Sequence, residues 1–292
     1  MRVLVAVNQG SRNGREPLDA ALGVFARAGY DVVVEKVAKS RHVDGLVRAN
    51  EGKADLVVLA GGDGTIHHAA RALIETALPF GLLPTGSAND LARNLGIPLA
   101  LGPAAEVVVD GGRRAIDVAE VNGELYLNVA HLGIGAALDS SGSKALKRQF
   151  GRFGYTMAAL GAVARMAPFD AEVTVDGAAS SVTAVQITVG NGRFFGGMGT
   201  VSEAARIDDG LLHVFSVEQS SRLRLLLMVP SFLTGHQDRW NGVEIRTGRA
   251  VTISTGRPMP VRADGKTVAQ TPARFAIHPG ALQVCAPRGP GR

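Results

Sequence analysis

The chain of 292 residues holds a single cysteine, Cys285. That excludes an intrachain disulfide and any cysteine-based zinc cluster, and its apolar setting in residues 281–286 reads as a buried structural thiol in a reducing compartment such as the cytosol. Aromatic side chains are scarce. Three Tyr and one Trp offer few platforms for stacking bases, and no nucleic-acid-binding motif occurs, so nucleic acid is not expected as a partner. No apolar run reaches the ~18 residues that a membrane-crossing helix needs. The nearest, residues 223–233, is interrupted by Arg224 and Pro230, so membrane contact is expected to be peripheral. The apolar part of residues 1–8 is too short for a secretory signal and reads as a first strand.

Acidic residues are missing from one long stretch. Between Asp139 and Asp170 there is none, while Lys144, Lys147, Arg148, Arg152 and Arg165 punctuate a helical pattern. Two readings fit: a basic, apolar element lying on a membrane surface, or a core helix whose cations face water. A formal charge of +5 agrees with either.

What is present is an ordinary globular composition, 46% hydrophobic with 37 Gly. Residues 2–8, 31–37, 55–60 and 80–84 read as buried strands, and helical patterns lie near 15–28, 43–51 and 65–77. A further helix is expected from Ser87 to about Gly96. Such alternation means a parallel sheet with helices on both faces. After about residue 115 the pattern changes to strands at 116–121, 125–131, 171–176, 182–190, 211–217, 251–255 and 274–278. Asn122-Gly123, Asp176-Gly177, Asn191-Gly192, Asp209-Gly210 and Asp264-Gly265 supply turn signals, and helices interrupt near 143–166 and 220–235. The expected architecture is α/β: an N-terminal parallel-sheet domain over 1–121 and an antiparallel β-rich domain over 122–292, whose last strand could pack back on the first domain.

Two loops stand out. Ala60-Gly61-Gly62-Asp63-Gly64-Thr65 follows an apolar strand and opens an alanine-rich helix, which is where open α/β sheets place ligands. Its glycines let backbone approach a bulky anion, and the helix start offers free N–H groups. Leu83-Pro84-Thr85-Gly86-Ser87-Ala88-Asn89-Asp90 repeats the logic, with Ser87 placed as an N-cap and Asp90 three residues later as its capping-box partner. Loops at successive strand ends would face one crevice. Asp63 and Asp90 would then share an anionic ligand or a metal, the kit for phosphoryl transfer.

GGDGT followed by PTGSANDLAR resembles the diacylglycerol kinase catalytic domain family, in particular the bacterial soluble lipid kinases related to sphingosine kinases. Asn8-Gln9-Gly10-Ser11 resembles that family's nucleotide loop, and Asn128 to Gly133 its N-x-x-x-x-G strand. Val189 to Gly192, then Gly196-Gly197, then Ala204 to Leu212 resemble its second-domain signature. The likeness covers nearly the whole chain.

The resemblance implies transfer of the γ-phosphoryl group of ATP to a lipid hydroxyl, in a cleft between a nucleotide domain and a C-terminal β-sandwich. By motif position, Asn8, Gln9, Gly10, Ser11, Gly61, Gly62, Gly64, Thr65, Gly86, Ser87 and Asn89 would hold ATP. Asp63 would be catalytic, with Asp90 and Asp117 in the network around Mg2+. Asp209 with the carbonyls of Arg206 and Leu211 would hold a separate structural Mg2+, although turn and strand-end roles explain Asp117 and Asp209 equally well. The implied partners are a lipid substrate and a peripheral membrane surface, in a cytoplasmic protein transiently at the membrane. Whether two copies form a homodimer is left open. Phe194, Phe195, Leu225, Leu226 and Phe232 are candidates for an acyl-chain site, with ordinary core packing as the alternative.

Two departures matter. His67 and His68 stand where the family often has Asn and Glu. Adjacent helical side chains point about 100° apart, so the pair cannot chelate one ion and is expected to pack or to touch the nucleotide. Lys266 stands where the family's Asp-Gly-Glu turn carries the glutamate that helps take the acceptor's proton. A protonated lysine cannot be that base. Two alternatives to an active lipid kinase follow: a nucleotide- or lipid-binding regulatory protein without turnover, and an NAD kinase-like enzyme, which shares the GGDGT loop but not the segment Pro84 to Arg93.

Overall fold

The computed structural model describes residues 1–14, 18–133, 167–195, 199–200, 205–221, 224, 227, 240 and 242–288. The chain divides into two compact units, one of residues 1–118 with 278–292 and the other of residues 119–277.

The first unit alternates strand and helix: β1 (Arg2–Asn8), α1 (Asp19–Arg27), β2 (Asp31–Val37), α2 (Val43–Ala49), β3 (Leu56–Gly61), α3 (Asp63–Thr76), β4 (Phe80–Pro84), α4 (Asp90–Leu95), α5 (Leu101–Asp110) and the start of β5 (Gly112–Val121). Strands β4, β3, β1 and β2 lie side by side, all parallel. Every residue of β3 and β4 is buried, because a parallel sheet is covered on both faces and its central strands must be apolar throughout. Helix α3 buries Ile66, Ala69, Ala70 and Leu73, the spacing of one helical face. Helix α5 escapes the sequence pattern because Gly102 and Pro103 look like a loop. They fall in its first turn, where proline removes only an N–H that has no helical partner.

The second unit continues through β5 into β6 (Glu124–Tyr126), β7 (Val129–Gly133), β8 (Phe169–Val175), β9 (Ala178–Gly190), β10 (Phe194–Phe195), β11 (Gly199–Thr200), β12 (Leu212–Glu218), β13 (Val243–Gly248), β14 (Ala250–Thr255), β15 (Pro260–Ala263), β16 (Lys266–Gln270) and the first part of β17 (Ala273–Ala286). Neighbours run in the order β16, β15, β7, β9, β8, β14, β17, and the pairs within this unit are antiparallel. One apolar cluster joins Tyr126, Leu132, Val173, Ile187, Val189, Val214, Ile253, Val261 and Phe275. Burial pushes the Tyr126 phenol well above its usual range, with the Asp264 charge adding to the shift, and its hydroxyl donates to the Val189 carbonyl at 3.3 Å.

Several boundaries move. The strand expected over 125–131 is broken, because the N–H groups of residues 127–129 go to a side chain instead of a ladder. β17 runs well past 278 although Pro279-Gly280 interrupts its pattern; its early residues pair with β14 and Val284 pairs in parallel with Phe80 of β4. The turns Asn122-Gly123, Asp176-Gly177 and Asp264-Gly265 each place two consecutive residues in the left-handed region, as hairpin turns of type I′ require. Asn191-Gly192 does different work: both N–H groups reach the Asn128 carbonyl, at 2.9 and 3.3 Å. The expected helix over 143–166 lies outside the described residues, as does all of 220–235 except 220, 221, 224 and 227, of which 224 and 227 are helical.

Candidate functional site

Three loops follow the neighbouring strands β1, β3 and β4 at their carboxyl ends and are bonded to one another. Asn8, buried, donates through its amide to the Thr65 hydroxyl at 2.8 Å and accepts the Gly10 N–H at 3.0 Å, which turns the first loop toward the GGDGT loop. The Ser11 hydroxyl donates to the Asn8 carbonyl at 2.8 Å and meets the Thr85 hydroxyl at 2.8 Å, while Asn13 N–H donates to the Thr85 carbonyl at 2.9 Å. Gln9 is exposed and joins its loop to the Val37 carbonyl through its N–H at 3.0 Å. Thr85 N–H donates to the Gly61 carbonyl at 3.0 Å, closing the third side.

Glycine is required where these loops touch. A Cβ on Gly62 would fall 2.7 Å from the Cα of Gly86, and a Cβ on Gly86 would meet Gly62 closer still. A Cβ on Gly61 would collide with the Thr65 side chain. Gly64 differs: a Cβ there would meet nothing within 4 Å.

Asp63 opens α3, and one of its oxygens accepts the Leu91 N–H at 3.0 Å, in the first turn of α4. Among the described residues its other oxygen accepts no hydrogen bond from the protein. Asp90, buried, is the first residue of α4 and directly precedes Leu91 in the chain. The helix does not start at Ser87, which is exposed. Its N-cap is Asn89 in the left-handed conformation, whose amide both accepts Gly86 N–H at 2.9 Å and donates to the Gly86 carbonyl at 3.1 Å. Those two bonds close residues 86–89 into a loop and leave no helical turn for Ser87 to cap.

Asp117, 3% exposed on β5, accepts the Gly280 N–H at 2.8 Å. His67 and His68 meet edge to face with ring centroids 5.4 Å apart, as side chains that diverge from adjacent helical positions do. Cys285 is buried, takes a hydrogen bond from Arg113 at 2.6 Å, and has its thiol pushed up chiefly by burial, an inert structural setting.

In the second unit Asp209 accepts the N–H groups of Arg206 at 3.0 Å and Leu211 at 2.9 Å, and it meets the imidazole of buried His213 at 2.9 Å. Sequence reasoning missed His213, four residues on. It also missed Thr85, the hub between the first and third loops, and Asp264, whose carboxylate takes three backbone N–H groups. Lys266, half-buried, pairs with Ala263 across the Asp264-Gly265 turn. Of the acyl-site candidates, Leu225, Leu226 and Phe232 and the side chain of Phe195 lie outside the described residues, as does the basic stretch 144–165.

Residues 1–121 match the diacylglycerol kinase catalytic domain, and residues 128–286 match the YegS C-terminal NAD kinase beta sandwich-like domain. A diacylglycerol kinase of Mycobacterium tuberculosis is 32% identical over 281 residues, covering 92% of this chain and 90% of its own. The chain belongs to the diacylglycerol kinase family. Within this family of lipid kinases, a YegS-like probable lipid kinase of Pseudomonas aeruginosa is 32% identical over 301 residues, covering 98% and 95% of the two chains. The crystal structure of a diacylglycerol kinase from Bacillus anthracis superposes with a TM-score of 0.77 over 99% of this chain and 97% of that one; at 22% identity it supports the fold.

The fit of a metal rests on the donor set. Among the described residues no three carboxylate, imidazole or thiol side chains gather to enclose an ion. Mg2+ beside a nucleotide needs only one or two carboxylates, with phosphates and waters completing its shell. Asp63 at the start of α3 and buried Asp90 at the start of α4 are carboxylates of that kind.

Proposed function

We propose that this lipid kinase transfers the γ-phosphoryl group of ATP to the hydroxyl of diacylglycerol or a related lipid, approaching the membrane transiently from the cytoplasm. The observation that carries the reading is Asp63: one oxygen is fixed by Leu91 N–H, the other accepts no hydrogen bond among the described residues, and it follows directly on Gly62, which is packed against Gly86 of the third loop. Gly61, Gly62, Gly64 and Thr65, with Asn8, Gln9, Gly10, Ser11, Gly86, Ser87 and Asn89, hold the triphosphate through backbone N–H groups and short polar side chains. Asp90, with Asp117 by motif position, would hold Mg2+, which would supply charge neutralisation on the transferred group. The open oxygen of Asp63 takes the acceptor's proton. ADP release measured against diacylglycerol, sphingoid and other hydroxyl lipids in mixed micelles tests the proposal, and no turnover with any of them overturns it.

Lys266 favours a second reading, in which nucleotide and lipid bind without turnover because no carboxylate stands at that turn. Calorimetric binding of ATP together with absent ADP release distinguishes it.

Gly64 separates fold from function. Its Cβ would meet nothing, so Gly64→Ala is expected to leave the melting temperature unchanged or raised, since Ala suits a helix better than Gly by ~0.5–1 kcal/mol. The methyl group enters the space assigned to phosphate, so ATP affinity should fall about tenfold or more, a loss of at least ~1.4 kcal/mol. Unchanged affinity would remove Gly64 from the nucleotide site.

For the second unit, Asp209 with the carbonyls of Arg206 and Leu211 is assigned a structural Mg2+. Asp209→Ala should lower the melting temperature in chelator, because its hydrogen bonds are lost, and lower it further in magnesium buffer, because an ion stabilises only the state that binds it. Equal shifts in the two buffers would leave Asp209 as a turn residue alone.

A further inference from the structure

Thr85 lies in the third loop, between β4 and the cap of α4, and is buried. Its backbone is fixed on both sides. The N–H donates to the Gly61 carbonyl of the second loop at 3.0 Å, and the carbonyl accepts the Asn13 N–H of the first loop at 2.9 Å. A β-branched side chain on so fixed a backbone has little freedom at χ1, so the place of its hydroxyl is set as well. That hydroxyl meets the Ser11 hydroxyl of the first loop at 2.8 Å.

The direction of that last bond follows from the protons available. A serine hydroxyl has one proton to give, and a carbonyl can only accept. The Ser11 oxygen lies 2.8 Å from the Asn8 carbonyl, so the Ser11 proton goes there, and the proton between the two hydroxyls comes from Thr85. Donation therefore runs from Thr85 to Ser11 to the Asn8 carbonyl. It ends on an acceptor that is served twice, since the Asn8 carbonyl also takes the Ser11 N–H at 3.1 Å.

Two donors on one carbonyl make the hydroxyl proton dispensable there. When Ser11 turns its proton away, the Asn8 carbonyl keeps the N–H bond and is not left bare, which is the costly outcome for a buried polar group. The Ser11 oxygen stays where it is, because Thr85 still donates to it. Ser11 is thus a donor that can be redirected to an incoming anion, on an oxygen held from the third loop. The same first loop is tied to the start of α3 by the Asn8 amide, which donates to the Thr65 hydroxyl at 2.8 Å.

We propose that Thr85 is a positioning residue of the nucleotide site: its hydroxyl holds the Ser11 oxygen, and with it the first loop, so that Ser11 can turn its proton from the Asn8 carbonyl to a phosphate oxygen of the nucleotide. This rests on the reading above, in which Ser11 belongs to the loops that hold ATP. Every residue involved lies in the first unit. Thr85 and Ser11 act through one oxygen, so their substitutions should not add.

The test combines nucleotide binding with a direct view of the loop. Thr85→Val keeps the shape of the side chain and both backbone bonds and removes only the hydroxyl. Binding of ATP in magnesium buffer, measured by calorimetry, should weaken about tenfold, on the scale of one charge-assisted hydrogen bond. Thr85→Ser should bind within about twofold of the wild type, since its hydroxyl can take the same place. Ser11→Ala should weaken binding as Thr85→Val does, and the double variant should bind no worse than the weaker single one. Independently of nucleotide, amide hydrogen exchange of residues 10–13 should quicken in Thr85→Val while β1, β3 and β4 stay protected. Exchange indifferent to Thr85→Val overturns the proposal whether or not ATP binds. Additive losses in the double variant, a serine no better than valine, or a Thr85→Val protein that melts lower yet binds ATP like the wild type also overturn it. A wild type that binds no ATP, with exchange that still quickens in Thr85→Val, sinks the nucleotide reading and leaves Thr85 as the clasp of the first loop.

Discussion

Asp63→Asn is expected to reduce lipid phosphorylation by about 10² to 10⁴, the contribution of a well-placed general base, while leaving the melting temperature within a degree or two. The fold should tolerate it because, among the described residues, the Asp63 side chain's hydrogen bond is made as an acceptor, and an asparagine carbonyl can take the Leu91 N–H in the same way. What asparagine cannot supply is the second oxygen with its charge. ADP release at saturating ATP and lipid, beside a thermal melt, gives the answer, and a variant with wild-type turnover would remove Asp63 from the chemistry.

Gly86→Ala should have the second largest effect and for an unrelated reason. The methyl group would be driven into the backbone of Gly62, where no side chain can swing aside, so the second and third loops must part. Overpacking of this kind costs about 1–3 kcal/mol, and separating the loops by ~1 Å should lower kcat/KM by about 10²-fold. Melting temperature and turnover should fall together, in contrast to Asp63→Asn. An alanine accepted without loss of either would mean that the loops do not need their close approach.

The central parallel strands β1, β3 and β4 were legible because their residues are apolar on both faces, whereas β2, expected to be buried, is an edge strand and largely exposed. Ser87 was misjudged as a cap because the capping pattern is local, whereas the real cap, Asn89, is decided by two bonds back to Gly86. The break after Tyr126 was invisible for a similar reason: residues 125–131 alternate like one strand, and only a partner 135 or more residues away takes the N–H groups of Leu127, Asn128 and Val129. Asp264 itself was read as a turn former, which is correct for its backbone and silent about its carboxylate. β15 and β16 were missed because strands of four and five residues flanking a polar turn carry little periodicity. Family likeness supplied Asp117 and Asp209, which spacing alone could not.

β17 gives the first unit a history as well as a shape. Its later residues pair with β4, yet the ribosome makes them only after the whole of the second unit has been made. Through that interval β4 presents a bare row of N–H and C=O groups, the kind of edge on which nascent chains join wrongly. The nucleotide loops at the ends of β1, β3 and β4 are all synthesised early, but the sheet beneath them closes late, so premature release of the chain leaves a unit with its glycine loops in hand and one side of its sheet open.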